Sequence, residues 1–145
     1  MLIVGSIFMA KINLFFDEFE NKDSPGHSII RLKCGVQLKT KEGWSLPYSA
    51  IIDTGAHTSV LPLSVWKEIL FQSIRKYRMF GLSKNDECAL LGTLATVHLI
   101  LVDEEGNQSA EIEAVFFLAG TDQVPILFGF NGVLEKLKVI FNFKE

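Results

Sequence analysis

Apolar and polar positions fall in short runs along this chain, and most runs have the length and period of a strand. Residues 11 to 19 are rich in β-forming aromatics and predict a first strand, closed by the turn formers of 21 to 26. From Ile30 to Leu38 apolar and polar residues alternate, the period of a half-buried strand. A polar turn at 39 to 43 follows, and residues 44 to 52 predict a strand returning through the core to Asp53. Pro62 then suits the first position of a helix, where its missing N–H costs nothing. Val65, Trp66, Ile69 and Leu70 fall on one face of that helix, which reads as core packing.

The second half also reads as strands and turns, without an internal repeat of the first. Residues 77 to 97 place two apolar stretches around the polar tetrapeptide 84 to 87, predicting a β-hairpin with a hydrophilic tip. Gly81 and Gly92 give its arms bending freedom. Residues 98 to 102 prolong the second arm, 103 to 107 form a charged turn, and 111 to 118 return as a strand. Ile126 to Phe128 is a short buried strand that meets Gly129. Val133, Leu134 and Leu137 predict a short amphipathic helix, and 138 to 143 alternate as a last strand. The chain is therefore expected to be all-β, with one or two short helices.

One stretch breaks the pattern. Residues 49 to 62, Ser-Ala-Ile-Ile-Asp-Thr-Gly-Ala-His-Thr-Ser-Val-Leu-Pro, carry an apolar strand straight into a carboxylate. A buried strand gains nothing by ending on an unpaired charge, because desolvating it is costly. Such a conflict between fold and residue type is where function is expected.

Composition narrows the classes. At 145 residues the chain holds one domain with a real core, 1–145, in which 1–10 is either an edge strand or disordered. Residues 1 to 10 are apolar but lack a basic start, and Lys11 ends the run far short of the roughly 20 residues of a membrane span. Initiation at Met9 is an alternative to an added edge strand. With 48% apolar and 21% charged residues the chain is globular, and a net charge of −3 without a basic stripe excludes nucleic acid and anionic membrane as partners. The two cysteines, Cys34 and Cys88, read as free thiols in a reducing cytoplasm. His27, His57 and His98 stand apart from one another, the acidic turn at 103 to 107 reads as solvated, and no metal or cofactor is assigned.

Asp53-Thr54-Gly55-Ala56, with Ala50-Ile51-Ile52 before it and Thr58 to Pro62 after it, resembles the active-site turn of the retropepsin-like aspartic proteases. The order of motifs over residues 44 to 143 is similar too: aspartate turn, hairpin, then an apolar strand ending in glycine before a helix. The resemblance is nearest to single-domain bacterial members. It implies a closed acid-protease barrel of a single lobe, with the hairpin acting as a flap over an extended peptide or protein substrate. Three departures stand out: the hairpin tip is charged where viral flaps are glycine-rich, Phe128 replaces the usual aliphatic residue before Gly129, and Asn131-Gly132 opens the last helix.

The resemblance also implies an endopeptidase mechanism. Asp53 is the catalytic carboxylate, Thr54 ties the two turns together across a dimer, and Gly55 permits the turn. Ala56 stands where pepsin-like members carry a hydroxyl that stabilises the charged pair, so activity is expected at mildly acidic to neutral pH. Gly81, Leu82 and Leu90 would belong to the flap and its substrate contacts, and Ile126, Leu127 and Gly129 to the pocket floor. Each pocket residue reads equally well as core. One chain supplies one such aspartate, whereas the reaction uses two carboxylates around a water, so an isologous homodimer is expected. The competing expectation is a catalytically silent dimer of the same fold that binds or scaffolds peptides.

Overall fold

The apolar runs become strands, and their hydrogen bonds close a ring. The computed structural model describes residues 2–5, 10–79 and 90–141, with backbone alone at 2–5. In chain order the strands are β1 (Leu2–Gly5), β2 (Lys11–Asn13), β3 (Phe15–Glu20), β4 (Ser28–Thr40), β5 (Gly43–Trp44), β6 (Tyr48–Ile52) and β7 (Ser59–Leu61). One helical turn, α1 (Leu63–Trp66), leads to β8 (Phe71–Met79), β9 (Leu90–Val102), β10 (Ile112–Ala119) and β11 (Leu127–Phe128). A 3-10 turn (Leu134–Lys136) precedes β12 (Leu137–Ile140). Among the described residues strand makes up 57% and helix 6%, which places the chain in the all-β class.

The large sheet runs β3-β4-β6-β11-β7-β10-β9-β8, and β4 also pairs with β9. That extra ladder, Gly35 to Leu38 against Val102 to Leu99, closes β4, β6, β11, β7, β10 and β9 into a six-stranded barrel. Two of its contacts are parallel, β6 with β11 and β7 with β10. β5 pairs with the end of β4, and three further strands form a small antiparallel sheet in which β1 lies between β12 and β2.

Alternation along the strands sorts side chains to the two faces of the barrel wall. Phe116, Leu118 and Phe128 point inward and join Leu38, Leu61, Leu99 and Leu101 in the main core. Phe116 and Phe128 meet edge to face with centroids 6.2 Å apart, and burying each ring contributes about 1.5–3 kcal/mol. Phe117, Ala119, Val60, Leu127 and Val124 point the other way, into a second apolar cluster outside the barrel.

Three elements differ from the pattern predicted by hydropathy. The first strand is two strands broken at Leu14, because β2 joins the small sheet while β3 joins the large one. Its break is anchored by Asn13 N donating to Asp103 Oδ2 at 2.9 Å. The helix after Pro62 lasts one turn, and Pro62 sits just before its first residue. Leu70 N already bonds to Lys39 O at 2.8 Å, turning the chain into β8. The C-terminal helix shrinks to a single 3-10 turn: Gly132 adopts φ +88°, and Leu137 is drawn into the β12 ladder opposite Gly5. The hairpin arms pair as expected but begin at Phe71, six residues early, while its tip lies outside the described residues. Among the described residues no helix is long and apolar enough to cross a membrane.

Candidate functional site

Strand β6 delivers Asp53 to the rim of the barrel. Ala50 and Ile52 are buried while Ile51 is half-buried, so the strand is held by both of its faces. Its parallel partner supplies carbonyls: Ile51 N donates to Ile126 O at 2.8 Å and Asp53 N to Phe128 O at 3.1 Å. The ladder therefore fixes the backbone of Asp53 itself. The carboxylate then folds back on its own turn, with Oδ1 accepting from Gly55 N at 2.9 Å, while Ala56 N donates to Asp53 O at 3.3 Å. An aspartate that binds the amide two residues on imitates a backbone turn.

The far side of this turn is clamped by the segment after β11. Phe130 N donates to Ala56 O at 2.7 Å and Asn131 N to His57 O at 2.9 Å. Gly129 N donates to the Ser59 hydroxyl at 2.9 Å, and Ser59 is fully buried. Gly129 lies directly on the backbone of Thr58: a Cβ there would stand 2.7 Å from the Thr58 carbonyl carbon and oxygen. Gly55 sits within the turn and is closely approached by the aspartate. Its φ is not left-handed, but a Cβ would come within 3.3 Å of Asp53 Oδ1. A side chain there would require that carboxylate to give way by a few tenths of an ångström.

Asp53 and Ala56 are half-buried, whereas Thr54, Gly55, His57 and Phe130 are exposed. No ion pair among the described residues neutralises Asp53. Four cavities of about 400 to 550 Å³ open on the surface, and Asp53 lines none of them, although one is bordered by Thr58, Leu94 and Asn131 beside the turn. The turn is an accessible platform on one copy of the chain.

Several expected residues gather beside it. Ala56, Leu90 and Leu127 share the second apolar cluster with Met79, Leu94, Val60 and Phe117. The base of the hairpin thus packs against the aspartate turn and β11. Tyr77 joins this contact, edge to face with Phe117 at 6.3 Å. Ile126 goes elsewhere: it sits in the main core with Phe128, on the opposite face of the same short segment. Gly81 and Leu82 lie outside the described residues, as do Phe80, the charged tip and Cys88. Trp66 is packing, with Nε1 donating to Ala119 O at 2.7 Å.

Ser59, Thr58 and Phe130 belong to the site although the sequence pattern alone gives none of them a role. The available signal was Ser59 itself, a hydroxyl placed just before the apolar pair Val60-Leu61. The acidic turn is held by its own amides and tied to β2: Asp103 accepts from Glu105 N, Asn107 N and Asn107 Nδ2 as well as from Asn13. Burial pushes its carboxyl up, but these hydrogen bonds outweigh that and hold it below the usual aspartate value. No protein-family model matches this chain, and no curated protein matches it either.

Proposed function

We propose that this chain is half of an aspartic endopeptidase of the retropepsin-like kind, completed when two copies pair with their Asp53 side chains face to face. The observation that carries the reading is the double clamp on the aspartate turn. Its entry is held by Phe128 O, and its exit by the amides of Gly129, Phe130 and Asn131. Catalytic carboxylates act through position, and a turn fixed at both ends on a closed barrel offers that position without rearrangement. Exposed Thr54 and Gly55 at its crest are available to meet their counterparts in a second copy.

In the pair, two carboxylates close together cannot both ionise cheaply and share one proton. The charged one takes a proton from a water held between them, and that water attacks the peptide carbonyl. The protonated one donates to the carbonyl oxygen as charge develops there. The hairpin of β8 and β9 would lie over an extended peptide, whose apolar side chains meet Leu90, Leu94 and Leu127. The buried Cys34 thiol suits a reducing compartment such as the cytoplasm.

The test is incubation of the purified protein with a peptide library, beside Asp53→Asn protein and an aspartic-protease transition-state analogue. Cleavage is expected from the native sequence alone, lowered about 10²-fold or more in Asp53→Asn and blocked by the analogue. Cleavage that survives in Asp53→Asn overturns the assignment, and peptide binding without cleavage selects the silent, scaffolding reading.

A further inference from the structure

Among the described strands, β3 and β8 are the two ends of the large sheet, each hydrogen-bonded on one side. Every residue of β3 is exposed, as is all of β8 except half-buried Met79. Open edges of this kind invite another strand. Their charges are opposite: β3 carries Asp17, Glu18 and Glu20, and β8 carries Arg75, Lys76 and Arg78. We infer that β3 of one copy adds in parallel to β8 of a second copy, linking copies of this chain head to tail.

The spacing of the charges selects this geometry. In one parallel register Asp17 lies opposite Arg75, Glu18 opposite Lys76 and Glu20 opposite Arg78. The same register sets Phe19 against Tyr77 and, at the irregularity between Ser73 and Arg75, Phe16 against Ile74. Acid meets base and apolar meets apolar at five successive positions, whereas no antiparallel register matches more than two of the acids. Opposite side chains on neighbouring strands are the interacting pairs of a sheet. Phe16 and Ile74 are 54% and 53% exposed, so their contact would take real apolar area out of water.

The same charges exclude the alternatives. β3 beside β3 sets acid against acid, and β8 beside β8 sets base against base, which disfavours both self-pairings. Closure within one chain is also excluded. β3 flanks the Ser28 to Lys33 end of β4, and β8 flanks the Leu90 to Val97 end of β9. β4 and β9 run antiparallel and meet only through Gly35 to Leu38 and Leu99 to Val102, so the two open edges lie at opposite ends of that ladder. A contact between different surfaces repeats, giving an open chain or a ring. The inference stands apart from the proteolytic reading, since neither strand contains Asp53.

One short parallel ladder with exposed ion pairs makes a weak, salt-sensitive junction. The test is sedimentation velocity over a concentration series at about 0.05 M salt, where screening is mild. The proteins are the native sequence, Glu18→Lys/Glu20→Lys and Lys76→Glu/Arg78→Glu. All four side chains are exposed, and thermal melting checks that both variants keep the fold. The native sequence should form species larger than those of either variant, with an association constant about tenfold or more above theirs. An equimolar mixture of the two variants should recover the large species, since each supplies the edge the other lacks. High salt should dissolve them in the native protein. Identical sedimentation of all three proteins at every concentration, or a mixture that behaves as its separate components, overturns the inference.

Discussion

Gly129 rests on the backbone of Thr58 with no room for a side chain, since a Cβ would fall 2.7 Å from the Thr58 carbonyl. Neither neighbour can yield easily. Thr58 is pinned between the Asn131-to-His57 hydrogen bond and the buried strand β7, while Gly129 follows directly on β11. Gly129→Ala should therefore lower stability by about 2–3 kcal/mol, as overpacking of rigid interiors does. Urea denaturation measures this, and any peptidase activity should fall further than stability alone dictates. A Gly129→Ala variant of native stability would mean that the turn is softer than its hydrogen bonds suggest.

Ser59 tests the same clamp from the other side. Its buried hydroxyl accepts from Gly129 N, and Ser59→Ala would leave that amide without a partner. The expected loss is about 1–3 kcal/mol, the usual cost of stranding a buried donor. Denaturant midpoints for Ser59→Ala and Gly129→Ala together should be less than additive, because both act on one contact.

The Asp103 turn makes stability depend on acid. Hydrogen bonds to its charged form keep the native carboxyl below the ordinary aspartate value, so the unfolded chain takes up the proton first as pH falls. Its contribution is complete above about pH 4 and disappears as pH falls through the lower native value. Glu111, lowered by its hydrogen bond from Lys39, and Asp122, lowered by the Ser64 amide, act in the same sense. Melting temperature should thus fall below pH 4, and Asp103→Asn should flatten that limb. An unchanged limb in Asp103→Asn would remove the turn from this role.

Cys34 should be chemically silent in the native state. It is fully buried, and burial first, then the nearby charge of Asp103, pushes its thiol up to about 12. The reactive thiolate is therefore scarce at pH 8. In a Cys88→Ser background, native protein should resist alkylation at pH 8 and become labelled in full on unfolding, as read by intact mass. Rapid native labelling would show that β4 opens readily.

The residues around Asp53 were legible because their pattern is local. An apolar run ending on a carboxylate predicts a strand and a turn, and β6 and Asp53 occupy those places. The alternation from Ile30 to Leu38 likewise became the buried positions 34, 36 and 38 of β4. What stayed hidden depends on distant partners. Leu137 looks helical until β1 claims it, and the residues after Trp66 look helical until β9 claims Phe71. Ile126 and Leu127 could not be told apart by composition, yet one enters the barrel and the other joins the cluster beside Ala56. Ser59 needed its acceptor role for an amide 70 residues away to become visible.

The small sheet carries one more implication. Leu2 faces Ile140 and Gly5 faces Leu137 in antiparallel register, so force that pulls Leu2 and Ile140 apart acts at one end of the pair and loads its hydrogen bonds one after another. Bonds strained singly rupture at low tension, whereas bonds strained together resist. Gripped by these two strands, the molecule would open like a zip, and the barrel behind them would be felt only afterwards.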